Sequence, residues 1–328
     1  MRRTILYKLF IMMVISSNYA QDAHFSHPSS NLMWLSPSLT GSEVKLSGQT
    51  NFRNQWRSLG RPFTSHFFSF DGSLNSKQKN ANSIFSVGIL NSSQSAGSLN
   101  LKRNHLLLST SCMLQINRLN SFSIGLNFGG IQQNIDATDA QWASQYVSGA
   151  FDPNANAQEI ISLNMITRAD VGAGIHYMYK NPRGYKSLKK ATLALGAFHL
   201  NRPSMSILEQ SDLLYTRWSV YSNLLFEQEQ LQIAPYLLYQ KQGPNTIFML
   251  GSDLHFRLKS KSLYTAAQQP SRFTIGMGYR ANDALICKVG FDYRFFSLGT
   301  IYDFTISSLK SAKGFQQALE FYLAFRLN

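Results

Sequence analysis

A chain of 328 residues with 31 Lys and Arg against 17 Asp and Glu carries a formal net charge of +14, yet only 15% of its residues are charged. That share lies below the usual quarter of a soluble domain, and beyond the N-terminus no apolar run reaches the length of a membrane helix. A helical membrane protein is excluded; a strand-built one is not, because lumen and lipid residues cancel in a hydropathy average.

The first twenty residues read as a secretory signal. Arg2, Arg3 and Lys8 supply a positive start, residues 9–15 a short apolar core, and Ala20 a cleavage site before Gln21. Removing them takes away three positive charges and no acid, leaving +11. An exported basic protein points away from nucleic acid and toward anionic lipid head groups or an acidic protein, with plain solubility an equal reading of the charge. Residues 21–43 follow as an N-terminal periplasmic or plug-like segment ahead of a barrel over 44–328.

Fourteen stretches have strand character: 44–54, 63–71, 84–91, 105–117, 122–132, 170–179, 191–200, 214–226, 231–240, 246–259, 272–280, 285–294, 298–306 and 315–327. In the fifth, Phe122, Ile124, Leu126 and Phe128 share one face while Ser123, Gly125, Asn127 and Gly129 take the other. In the last, Leu319, Phe321, Leu323, Phe325 and Leu327 alternate with Ala318, Glu320, Tyr322, Ala324 and Arg326. Pro235 is a blemish in the ninth, since it donates no ladder hydrogen bond. So many one-sided strands with no helices to cover them predict an all-β, transmembrane antiparallel barrel of about fourteen strands. Cys112 and Cys287 fall on the apolar face, far apart around the wall, so no disulfide is expected.

The connections place short turns at 118–120 and 227–229 on the periplasmic side and the longest, 134–168, outside. Lys186, Lys189 and Lys190, with Lys259 and Lys261, enrich two inner links. The outer connection carries Trp142, Tyr146, Phe151, Asp152, Pro153 and Asn154. A loop this long either folds over or into the mouth, or is disordered.

Nothing argues for catalysis: the chain lacks GxSxG, HExxH, CxxC and a phosphate loop. No cofactor is expected. His24 and His27 could share a metal, but with only Asp22 beside them a structural role is favoured, and no metal is expected. Asp253, His255, Arg257, Lys288, Asp292, Arg294, Asp303, Glu320 and Arg326 form a lumen-lining set of mixed sign. They pair and fill the interior, or they line an ion-selective path.

Several segments occur in an order that resembles one family. They are Gln21-Asp22-Ala23-His24-Phe25-Ser26-His27, Leu35-Ser36-Pro37-Ser38-Leu39-Thr40-Gly41, Phe52-Arg53-Asn54-Gln55-Trp56, Val87-Gly88-Ile89-Leu90-Asn91, His199-Leu200-Asn201-Arg202-Pro203, and a closing block with Tyr302-Asp303, residues 307–310 and Gly314. Together they resemble the PorP/SprF outer-membrane proteins of the type IX secretion and gliding machinery of Bacteroidetes. His27 stands where that family carries Gln. The resemblance implies a docking barrel for the C-terminal sorting domain of a secreted adhesin or other surface cargo, embedded in outer-membrane lipid and meeting periplasmic components of the apparatus. Candidate partner contacts are Arg53, Asn54, Gln55 and Trp56, where an aromatic-belt anchor is the alternative, then Trp142, Tyr146 and Phe151, and Asn201 and Arg202, where a loop clasp is the alternative. A passive porin or small-solute transporter is the competing function.

Overall fold

The structure, a computed structural model, describes residues 22–56, 62–75, 82–97, 99–136, 142–147, 150–152, 154–155, 165–181, 188–206, 212–259, 270–307 and 316–327. The signal-like stretch 1–20 lies outside these. Sixteen strands are present among them: β1 (Leu46–Gln55), β2 (Phe63–Ser73), β3 (Ser83–Ala96), β4 (Leu101–Gln115), β5 (Asn120–Asn134), β6 (Tyr146–Val147), β7 (Ala150–Phe151), β8 (Met165–Lys180), β9 (Leu188–Phe198), β10 (Arg217–Gln228), β11 (Leu231–Gln242), β12 (Asn245–Lys259), β13 (Ser271–Arg280), β14 (Ala284–Tyr293), β15 (Phe296–Thr305) and β16 (Gln316–Leu327).

Fourteen of them form one closed antiparallel barrel in chain order, while β6 and β7 make a separate two-stranded hairpin. Closure joins first to last, from Leu46 opposite Leu327 to Gln55 opposite Ala318. A closed ladder leaves no edge in hydrocarbon, which is the condition for crossing a bilayer with strands. Among the described residues no helix is long and apolar enough to cross a membrane.

The exterior follows from the period of two. Leu126 is 62% exposed and Met277 69%, while their neighbours Asn127 and Gly276 are buried or packed inward. Large apolar side chains stand exposed on every barrel strand but β1, a surface far beyond the patches a soluble monomer exposes. Lipid is the medium that covers it, and the protein is an integral outer-membrane β-barrel. Cys112 and Cys287 are both free, the second exposed on this face. Pro235 sits where the pairing of β10 with β11 lapses, between the partners Asn223–Tyr236 and Phe226–Ile233. A residue without an N–H interrupts the ladder there.

The rim bearing the long 135–164 connection is the outer one, by the usual asymmetry of such barrels. The start of β1, the end of β16 and the turns at 116–119, 229–230 and 294–295 share the opposite, periplasmic rim.

Residues 22–42 occupy the lumen. They form three short helical turns, Pro28–Ser30, Leu32–Leu35 and Pro37–Leu39, two of them opened by a proline whose missing N–H costs nothing at a helix start. Leu32, Leu35 and Leu39 pack with Ala194, Tyr221, Leu238, Met249, Ile286 and Ile301. Ala23, Phe25, Met33 and Trp34 pack with Phe67, Leu90 and Leu107. Each large side chain so buried contributes about 1.5–3 kcal/mol. The lumen is therefore a packed core, with an apolar plug meeting inward-facing apolar residues of the wall.

Candidate functional site

The plug is held at three polar stations and one cradle. At the first station Ser26 is the hinge. Its Oγ donates to Asp303 Oδ2 at 2.8 Å and accepts from Arg53, and its N–H donates to Glu320 Oε2 at 2.8 Å. The Arg53 guanidinium also reaches Asp303 at 3.1 Å and Glu320 at 3.5 Å. Arg280 closes the network with Asp303 at 2.7 Å, and Asn51 donates to Glu320. Strand alternation in β1 explains the aim: Asn51, Arg53 and Gln55 all point inward. Two buried acids face two buried guanidiniums, which is how charge survives away from water.

At the second station His27 Nε2 lies 3.0 Å from Asp253, whose other oxygen takes the Lys288 ammonium at 2.8 Å. The His27 ring packs edge-on to Tyr236.

The third station is the head of the plug. Asp22 Oδ2 lies 2.7 Å from His199 Nε2 and 3.4 Å from Arg217 Nε, and its N–H donates to Gln242. The other ring nitrogen of His199 meets Asp170 at 2.9 Å. Arg217 lies over the Trp34 ring at 4.0 Å and donates to the Trp34 carbonyl. His199 follows directly on β9 with φ +58, a left-handed turn rare for a residue with a Cβ. That turn carries its ring into the lumen.

The cradle is made of absent side chains. Gly125, Gly174 and Gly196 stand side by side on β5, β8 and β9. A Cβ on Gly125 would lie 2.4 Å from the Ser38 nitrogen, and one on Gly196 2.2 Å from the Leu35 oxygen. Backbone of plug and wall thus touch directly. Ser36 seals the contact by donating to the Leu195 carbonyl, and Ser111 donates to that of Thr40.

Several expected site residues take different roles here. Arg53 is fully buried, so a membrane-interface or mouth position is corrected for it: it faces the lumen and the plug. Gln55 is nearly as buried and faces inward at the outer end of β1. Asn54 and Trp56 are half-buried at the outer end of β1, Trp56 ring 6.0 Å from Phe63. Asn201 and Arg202 are exposed on the outer rim. Asn201 clasps β8, donating to the Ala169 carbonyl at 2.7 Å and accepting from the Val171 N–H at 3.3 Å. Trp142, Tyr146 and Phe151 belong to the β6–β7 hairpin region, where the Tyr146 and Phe151 rings lie 5.6 Å apart, tilted by 54°.

Of the lumen set, Asp253, Lys288, Asp303 and Glu320 are buried against the plug. His255, Arg257, Asp292 and Arg326 are only half-buried and pair within the wall, with Thr274, Glu227, Arg272 and Ser297 respectively. Arg294 is not in the lumen: β14 ends at Tyr293, so the alternation stops, and Arg294 sits exposed in the turn with φ +55 over the Phe295 ring. His27 is engaged with Asp253, and neither it nor His24 belongs to the one three-residue ligand cluster found among the described residues. Asp22, Ser26, Asp170, His105, Arg217 and Arg280 were not singled out from sequence as parts of one site. Asp22, Ser26 and His199 do lie in the quoted motifs, the one signal that could have marked them.

The profile of type IX secretion system membrane proteins PorP/SprF matches residues 17–325. No curated protein sequence matches the chain. Similar solved structures include the CymD monoaromatic hydrocarbon channel, 12% identical with TM-score 0.47 over 91% of this chain and 93% of that one. A Pseudomonas aeruginosa FadL homologue is 11% identical with TM-score 0.43, over 86% and 90%. BamA from Haemophilus ducreyi lacking POTRA domains 1–3 is 11% identical with TM-score 0.42, over 86% and 70%. At these scores only the match to the family carries weight. Members of these motifs from distant parts of the chain, among them Asp22, Ser26, Arg53, His199 and Asp303, meet at one plug, and a match over nearly its whole length assigns this chain to the PorP/SprF family of type IX secretion system membrane proteins.

Proposed function

We propose that this protein is a plugged docking barrel of the type IX apparatus, which holds the C-terminal sorting domain of a secreted surface protein at its outer loops and conducts no solute. The observation that carries this reading is the anchored plug: its Ser26 is bound by Arg53, Asp303 and Glu320 of the wall through buried charge-assisted hydrogen bonds. A solute path would require those bonds to break, whereas a docking platform needs a rigid body under its loops. The exposed Asn201, Arg202 and Tyr146 on the outer connections are the candidate cargo contacts. Periplasmic turns, with Lys190 near their rim, are the candidate surface for the apparatus. The family is one of secretion components, and no catalytic step is invoked.

The test has two arms. Purified protein in planar bilayers is expected to be electrically silent; a steady open conductance would favour the passive porin. In cells, substituting Asn201, Arg202 and Tyr146 together by Ala is expected to reduce recovery of the sorting domain with the detergent-solubilised barrel, and to reduce surface display. Full recovery with the triple variant removes these loops from cargo binding.

A further inference from the structure

The head of the plug holds a second kind of site. Asp22, His105 and His199 each present one ligand atom, and the three atoms lie within 4.8 Å of one another, all buried. His199 Nε2 is 2.7 Å from Asp22 Oδ2, and His105 Nε2 is 3.8 Å from Asp22 Oδ1. Four-coordinate zinc with bonds of about 2.0–2.1 Å holds its ligand atoms roughly 3.3 Å apart. The two imidazole–carboxylate spacings, one to each oxygen of Asp22, fall on either side of that value, and the two imidazoles are within 4.8 Å of each other, so side-chain shifts of at most about 1.5 Å would seat the ion.

A separate observation points into the same space. His105 is fully buried, and neither of its ring nitrogens has a hydrogen-bond partner. Asp22 Oδ1 is likewise unpartnered. Leaving a buried imidazole and a carboxylate oxygen unsatisfied is expensive, and both aim at the gap between them. The orientation of His199 fits as well. Its Nδ1 is bound by the Asp170 carboxylate at 2.9 Å, the outer-sphere arrangement that fixes a ligating ring and leaves Nε2 for a metal.

We propose that Asp22, His105 and His199 form a binding site for a zinc-class divalent transition metal, which staples the head of the plug to β4 and the end of β9. In the metal-free state His199 lies between two carboxylates, and so both its nitrogens carry protons. Binding exchanges one ion for one proton: the Nε2 proton leaves to solvent, and the Nε2 lone pair forms the metal bond. Two imidazoles with one carboxylate suit zinc better than magnesium or calcium, which prefer oxygen. Two arginines bear on the charge. Arg217 stays 3.4 Å from Asp22 and weakens the attraction for a dication, while Arg103 is turned to Gln133. The site joins residues 177 positions apart in the chain, Asp22 and His199.

The test uses the full-length mature protein in detergent, stripped by a chelator and then given Zn2+ alone. The expected result is one equivalent of zinc retained after desalting, measured by mass spectrometry of the metal, together with a rise in the unfolding temperature. With Co2+ in its place, the visible absorption of a low-coordinate site is expected. His105→Asn and Asp22→Asn are each expected to lose the equivalent and the temperature rise, whereas His24→Asn keeps both. Wild-type protein that retains no zinc and shows no shift overturns the proposal without any variant. Retention unchanged in folded His105→Asn, judged by heat-modifiable migration on a gel, overturns it too.

Discussion

The plug is gripped in two unlike ways on opposite walls of the barrel. On β1, β13, β15 and β16 the wall reaches in with Arg53, Arg280, Asp303 and Glu320, and the contact is a knot of charges around Ser26. On β5, β8 and β9 the wall withdraws, and Gly125, Gly174 and Gly196 let the backbone of 35–38 lie against bare strand. The charged wall can hold a plug of only one polarity pattern but tolerates a small shift of a long side chain. The glycine wall is indifferent to charge and tolerates no added atom. Selection of one seated position therefore comes from the glycines, and most of the energy at stake in breaking the seat comes from the charges.

The largest effect should come from the charged wall. Arg53→Ala leaves Glu320 without its guanidinium and Asp303 with Arg280 alone, both in a dry interior. Breaking a buried pair this way costs about 3–5 kcal/mol. The expected outcome is a plug that becomes open to protease while the barrel still migrates as folded, because the ladder does not depend on Arg53. If the variant stays as protected as wild type, the charges are not what holds the plug. Next comes the glycine wall. Gly125→Ala sets a methyl 2.4 Å from the Ser38 nitrogen, and overpacking of this sort costs about 1–3 kcal/mol. Its signature should differ, with a lower unfolding temperature and little change with salt. An equal loss for Gly130→Ala, whose added carbon would meet nothing closer than 3.6 Å, would mean that the cradle is not special.

The barrel was legible in the sequence where lipid dictates the pattern, and the plug was not. Phe122 to Phe128 and Leu319 to Leu327 show their faces by alternation alone, because an outward residue must be apolar whatever its neighbours do. Beyond the hydrocarbon that rule lapses. The stretch 91–96 continues β3 in the ladder, but its Ser and Gln residues give no oily period, so the strand reads as ending near Asn91. Inside, Leu90, Leu107 and Ile131 answer to partners in the plug or the outer loops, not to a polar lumen. Asp22 and His199 meet only after the whole barrel has closed, and no local spacing announces it. Arg53 was visible as an unusual strand residue, but its direction could be read only from the register.

A smaller effect belongs to the outer rim. Asn201→Ala removes the two hydrogen bonds that its side chain makes to β8 from the β9–β10 connection. About 1 kcal/mol is at stake, since such bonds exchange with water. Amide exchange is expected to speed up at Val171 and Leu200, the latter bonded to the Val171 carbonyl, with the plug unaffected. Faster exchange throughout 22–42 would mean that rim and plug are coupled.

The smallest effect lies where the plug leaves the lumen, and it tests whether charge matters once water is near. Glu43 pairs with Lys190 at the periplasmic rim, the two side chains 37% and 16% exposed. The Lys190 ammonium holds the Glu43 carboxyl down at about 2, against the opposing pull of burial. Because the folded value is depressed, the pair's contribution is complete above the ordinary carboxylate range, near 4.5, and fades as pH falls through about 2. An exposed pair of this kind is worth at most about 1 kcal/mol and is screened by salt. Glu43→Gln is therefore expected to unfold slightly below wild type at pH 7, by a margin that holds to about pH 5 and closes near pH 2. A margin that persists at pH 2, or that ignores salt at pH 7, would make the contact one of shape. The contrast between a charged wall and a glycine wall would then not extend to the rim.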